Sequence, residues 1–184
     1  MLGKTYDHEV CSIARALDVV GERWSLLIMR DALFANVTRF SDFQHNLGVA
    51  TNVLATRLDS LVAAGILRRR PHPERPDQFE YVPTEKGRDL VPALIALTAW
   101  GDRWSSPDGP PILYEHASCG GPVGHELTCA RCGVVDPTSV AVRPGPGMPA
   151  EHLAARRPRR ADPAPSASPH PPRAVRSPGS DPGR

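Results

Sequence analysis

The chain has 184 residues, of which 40% are hydrophobic, and a formal net charge of +2. That leaves room for one ordinary domain with extensions, and so small a charge does not by itself establish a polyanion partner. No N-terminal apolar run resembles a signal sequence and none approaches the roughly 18 residues of a membrane span, so no membrane partner is expected and the expected compartment is the cytoplasm.

Met1 to Glu9 is polar and expected to fray. Val10 to Val20 reads as a first helix with Ile13, Leu17 and Val20 on one face. Gly21-Glu-Arg interrupts it. Trp24 to Phe34 follows as a second helix, apolar nearly all round (Leu26, Leu27, Ile28, Leu33, Phe34), as a central helix covered on several sides should be. Asn36 to Arg39 reads as a short strand or turn that can add an edge to a later hairpin.

The segment Arg39 to Tyr81 organises the rest. Ser41-Asp-Phe-Gln44 has the form of a capping box at the start of a short helix. Gly48 stands where that helix must stop, a position that takes positive φ, and Val49 is expected to anchor the turn. The next helix begins at Ala50 or Thr51. Its Leu54, Leu58, Leu61 and Val62 form one buried stripe at i, i+4, i+7 and i+8. Asn52, Thr56, Asp59 and Ala63 fall opposite, with Val53, Arg57 and Ser60 on a flank. Gly65 ends this helix. Ile66 to Arg70 and Gln78 to Val82 can pair as strands around a proline-rich basic tip that carries His72 and Arg75. The pattern is a winged helix-turn-helix, and its second helix has the width to enter a B-DNA major groove.

Thr84 caps a long helix whose Leu90, Leu94, Leu97 and Trp104 recur near heptad spacing, with Val91 and Ile95 widening the stripe. Pro92 kinks it or marks its effective start. This stripe exceeds what one small domain needs, and with the first helix it fits a symmetric homodimer interface. Residues 105–111 form a linker. Residues 112–142 form a small zinc-ribbon-like β unit: His116-Ala-Ser-Cys119 and Cys129-Ala-Arg-Cys132 give four donors, each pair followed directly by glycine. Four cysteines in a cytosolic chain point to metal or redox chemistry rather than a disulfide framework. Three thiolates and an imidazole suit one closed structural Zn2+ per chain. A reversible Cys129–Cys132 pair and a ribbon that has lost its metal stay open as alternatives, with His125 as a substitute ligand. Residues 143–184 hold 11 of the 21 prolines and almost no large apolar residue, and are expected to be a disordered tail whose Arg156, Arg157, Arg159 and Arg160 could add nonspecific DNA attraction.

Several motifs in unbroken order carry a family resemblance. Cys11-Ser-Ile-Ala-Arg-Ala-Leu-Asp-Val-Val-Gly-Glu-Arg-Trp-Ser-Leu-Leu-Ile-Met-Arg resembles the opening of the HxlR-type regulators, winged-helix dimers related to the MarR group. Arg39-Phe-Ser-Asp-Phe, Asn52-Val-Leu-Ala-Thr-Arg-Leu-Asp-Ser-Leu, Ala64-Gly-Ile-Leu, Tyr81-Val-Pro-Thr-Glu-Lys-Gly and Trp100-Gly-Asp-Arg-Trp104 continue it, over residues 8–106. The resemblance implies a dimer built from the first and last helices, with a recognition helix in the major groove and the wing at the minor groove. The expected DNA-facing set is Ser41, Thr51, Asn52, Val53, Thr56, Arg57, His72 and Arg75; an ion pair of Arg57 with Asp42 and a solvated His72 are the competing readings. Family members usually carry serine where Ala50 stands, so the cap of the recognition helix is expected to be weakened unless Thr51 takes that role. Cys11 matches a cysteine that serves some members as a thiol sensor; a small buried hydrophobe is the alternative role.

The expected function is that of a sequence-specific, dimeric transcriptional regulator, a repressor that answers a thiol-reactive or small-molecule signal at a pseudo-palindromic double-stranded DNA site. The alternative is a protein-interaction module that uses the winged fold and zinc ribbon without specific DNA binding. The chain has no G-x-S-x-G, no H-E-x-x-H and no paired carboxylates suited to a cleft, so no enzyme is expected.

Overall fold

In the computed structural model, which describes residues 6, 10–72 and 75–149 (backbone alone at 76 and 77), six α-helices, two small hairpins and a short 3-10 turn follow one another. The fraying expected of residues 1–9, Tyr6 and main-chain detail from 10 aside, and the tail arginines lie outside the described residues. Residues 1–148 and 149–184 form separate units.

The winged module uses α1 (Ser12–Val20), α2 (Ser25–Phe34), α3 (Phe40–Leu47), α4 (Thr51–Ala63), β1 (Leu67–His72) and β2 (Arg75–Pro83). α2 is the central element: Ile28 and Met29 are fully buried and meet Phe43 of α3, Leu54, Leu58 and Leu61 of α4, and Leu67 of the wing in one core. The stripe on α4 is buried as its spacing requires, and Val62 packs at its margin. Gly48 closes α3 in the left-handed conformation at φ +59, where a side chain would meet the following carbonyl.

Three local expectations change. The capping box does not form. α3 starts at Phe40 with extended Arg39 as its N-cap, which places Ser41 inside the first turn, where its hydroxyl donates to the Asp42 carboxylate at 3.1 Å. Gln44 reaches forward instead of back, and its amide donates to the Thr51 hydroxyl at 2.7 Å, which ties α3 to α4. The wing is longer than the two apolar runs, because β1 continues through Pro71 to His72 across a register shift. The long terminal helix is divided into α5 (Glu85–Arg88) and α6 (Val91–Ser105), with Pro92 in the first turn of α6, so the proline marks a start and not a kink. Thr84 caps α5, its hydroxyl accepting the Gly87 N–H at 3.2 Å. Gly87 permits the junction: a Cβ there would collide with the Ile66 carbonyl oxygen.

The edge expected before α3 is present. The Tyr81 N–H donates to the Thr38 carbonyl at 2.8 Å and Arg39 bridges to Glu80, so the chain entering α3 is a third rung on the wing. In residues 112–142, β3 (Thr128–Cys129) pairs with β4 (Gly133–Val134), a single bridge joins Glu115 to Pro122, and no side chain is buried. No described helix is long and apolar enough to cross a membrane.

Candidate nucleic-acid interface

The sequence of α4 divides its faces. With Leu54, Leu58 and Leu61 turned to the core, Asn52, Thr56, Asp59, Ser60 and Ala63 are left on the surface. Thr51 and Asn52 open the helix exposed and Val53 is half-buried. Ala50 is the N-cap and supplies no side-chain hydrogen bond, so the first-turn N–H groups lack the usual capping acceptor. Thr56 and Ser60 direct their hydroxyls to the carbonyls of Asn52 and Thr56, each at 2.8 Å.

Arg57 is placed differently from both sequence readings. Its guanidinium pairs with Glu22 at 3.0 Å, in the turn after α1, and not with Asp42, and its side chain keeps only 25% exposure. This pair links α4 to the end of α1. The sequence contained the signal, since Gly21-Glu-Arg is a polar interruption between two apolar helices, but the contact spans a distance no local pattern encodes.

At the wing, Arg75 is exposed. His72 is not: it is 7% exposed, and its Nε2 lies 2.7 Å from an Arg39 guanidinium nitrogen. A surface contact by His72 at the wing tip is therefore corrected. The register shift between Pro71 and His72 carries the imidazole inward, beside the Arg39 guanidinium. Around it, Arg70 donates to the Glu80 carboxylate at 2.6 and 3.0 Å, and the Thr38 hydroxyl does so at 3.3 Å. Arg70 holds the Glu80 carboxyl below its ordinary value, with smaller assistance from Thr38 and His72 and against the effect of burial. Arg69 pairs with Asp59 and covers the Tyr81 ring at 5.8 Å, which joins the wing to the exposed face of α4.

Between the start of α3 and the wing lies an open groove of about 470 Å³, lined by Arg39, Ser41, Arg75, Gln78 and Phe79 among others. Ser41 thus shares a groove with Arg75 although they are far apart in sequence. Arg39, Arg68, Arg69 and Arg70 were missing from the residue-level expectation. The Arg-Arg-Arg run was its visible signal, and the two acids that engage Arg69 and Arg70 lie on other elements.

Cys11 is the N-cap residue of α1 and is exposed, which removes the buried-hydrophobe reading. It lines a shallow cavity of about 230 Å³ with Val10, Ser12, Arg15, Gly145 and Met148. In residues 112–142, His116 Nδ1 lies 3.2 Å from Cys119 Sγ. The Cys129 thiol is lowered, first by the Arg131 backbone N–H and then by Cys132; the Cys132 thiol is raised, chiefly by the same contact. Among the described residues, no three His, Cys, Asp or Glu side chains gather into one metal-binding group.

Comparison with known proteins places this geometry. The HxlR-like helix-turn-helix family profile matches residues 19–109. An HTH-type transcriptional regulator of Mycobacterium tuberculosis, Rv3095, is 43% identical over 142 residues, covering 76% of this chain and 89% of the relative. That span is too long for residues 1–109 alone, so the likeness runs on into the cysteine-bearing segment. Among solved structures, PA1607, described as a candidate transcription factor, superposes with a TM-score of 0.66 at 38% identity, covering 73% of this chain and 94% of its own. PA1374 of Pseudomonas aeruginosa gives 0.57 at 40% identity, with 78% and 99% covered. The chain belongs to the HxlR-like helix-turn-helix family of transcriptional regulators.

Proposed function

We propose that the protein is a dimeric cytoplasmic repressor, without enzymatic activity, that binds a pseudo-palindromic operator and releases it on a thiol-reactive or small-molecule signal. The observation that carries this reading is the outer face of α4. A polar helix surface with an uncapped N-terminus, tied to the wing by Asp59 and Arg69, suits a helix laid in the major groove with its first-turn amides toward phosphate, and the wing adds exposed Arg75. Asn52 and Thr56 are assigned to base edges; Ser41, Thr51 and Arg75 to backbone phosphates; Val53 to apolar contact at the groove wall. Arg57 orients α4 through Glu22 and meets phosphate only if it exchanges that partner.

Support for the dimer comes from what one chain leaves uncovered. Ile13 and Leu17 on α1, and Leu97, Trp100 and Trp104 on α6, are exposed. Side chains of this size contribute about 1.5–3 kcal/mol each when fully covered. Cys11 begins the helix that carries Ile13 and Leu17, so a modification there would bear on the same face.

The test is a gel-shift titration of the purified protein on the DNA upstream of its own gene, across a salt series. Sequence-selective binding with a steep salt slope is expected. Asn52→Ala should cost about 1–3 kcal/mol and relax the preference at one base position, whereas Arg75→Ala should weaken binding uniformly and flatten the salt slope. Binding that ignores sequence and responds little to salt would sink the reading.

A further inference from the structure

We propose that His116, Cys119, Cys129 and Cys132 bind one structural zinc ion, and that this ion holds residues 112–142 together.

Two turns of the segment repeat one backbone plan. In the first, the N–H groups of Cys119 and Gly120 both donate to the His116 carbonyl, at 3.1 and 2.8 Å, and Gly120 has φ +69. The flanking chain is closed by His116 N–H to Gly121 O and Val123 N–H to Tyr114 O, both 2.8 Å. In the second, Cys129 pairs with Gly133 across β3 and β4, the Val135 N–H donates to Leu127 O at 2.9 Å, and Gly133 has φ +79. In each turn two soft donors stand three residues apart, and a left-handed glycine follows the second.

Each turn therefore presents one pair of donors. Tetrahedral zinc with Zn–S of about 2.3 Å and Zn–N of about 2.0 Å sets its ligands roughly 3.5–3.8 Å apart. The 3.2 Å approach of His116 Nδ1 to Cys119 Sγ is close to that spacing. Among the described residues the two pairs do not meet in a group of three or more, so binding one ion requires the two turns to close on each other. Three thiolates with one imidazole favour zinc over magnesium or calcium, and four protein ligands leave no open position.

The energetic argument is independent of the donors. No residue from 112 to 142 is buried, and Leu113, Val134 and Val142 are more than half exposed. A segment with turns this well defined and no core needs a cross-link to hold it, and metal binding supplies folding energy directly. This inference does not rest on DNA recognition, because metal content is measured without DNA.

The test uses the full-length protein purified under reducing conditions. Elemental analysis should find about one zinc per chain, released by a mercurial thiol reagent. Replacement by cobalt should give thiolate-to-cobalt charge-transfer and tetrahedral ligand-field bands. Cys119→Ser, Cys129→Ser and His116→Ala should each lose most of the metal, while Cys11→Ser and His125→Ala keep it. His116→Cys should retain zinc, with the charge-transfer intensity of its cobalt form rising by about one third as three thiolates become four. The proposal is overturned if the wild-type protein holds no more zinc than Cys129→Ser, if protein purified under reducing conditions still holds Cys129 and Cys132 as a disulfide in place of metal, or if His125→Ala and not His116→Ala releases the ion.

Discussion

The winged module and residues 112–142 use opposite strategies to become ordered. In the module, Ile28, Met29, Phe43, Leu54, Leu58 and Leu61 are fully buried, and every element touches that core. In the cysteine segment nothing is buried, and backbone hydrogen bonds close two small turns around pairs of soft donors. The first is stabilised by area removed from water, the second by a handful of directional contacts. The difference teaches where each is fragile: the module to loss of a methylene, the segment to loss of a single donor atom.

The largest way to press this contrast is Leu58→Ala. Removing a fully buried leucine from α4 should cost about 2–5 kcal/mol in denaturant unfolding. Thiol accessibility at Cys119, Cys129 and Cys132 should not change under conditions where the variant stays folded. If those thiols open in parallel with the core, the two regions are one cooperative unit and the contrast fails. Gly87→Ala comes next. Its Cβ would press on the Ile66 carbonyl where α5 crosses the base of the wing, and a loss of about 1–3 kcal/mol is expected by thermal unfolding. The smallest effect is electrostatic. Glu80 has its carboxyl lowered by Arg70, so its contribution to stability is complete above the ordinary value of 4.5 and lost as pH falls through the lower folded value. Glu80→Gln should therefore be less stable than wild type near neutrality, and the gap should close on acidification in urea titrations across pH. A gap that widens toward acid would show that the wing base is not held by this carboxylate.

Much of the fold is legible in the sequence, because its signals are local. The spacing of Leu54, Leu58 and Leu61 sets the face of α4, Gly48 sets the turn before it, and the polar residues left over mark the outer surface. What sequence alone misplaces depends on partners far along the chain. Arg57 has two acids within plausible reach, and only the packing of α1 on α4 selects Glu22. His72 reads as a wing-tip residue because the register shift at Pro71 has no signature in composition, and one step of slip exchanges inside for outside. Ser41 satisfies the letter pattern of a cap, yet the bridge of Arg39 to Glu80 starts the helix earlier and the serine enters the first turn.

The cross-stitching of residues 38–83 limits how such a regulator can be retargeted. Thr38 and Arg39 are fastened to β2, Gln44 to Thr51, Asp59 to Arg69, and Arg57 to Glu22 outside the segment. Transplanting α4 alone into a related scaffold would sever every one of these ties that ends on it. A chimera that is to bind a new site has to move α3, α4 and the wing as one cassette and bring the residue at position 22 with them.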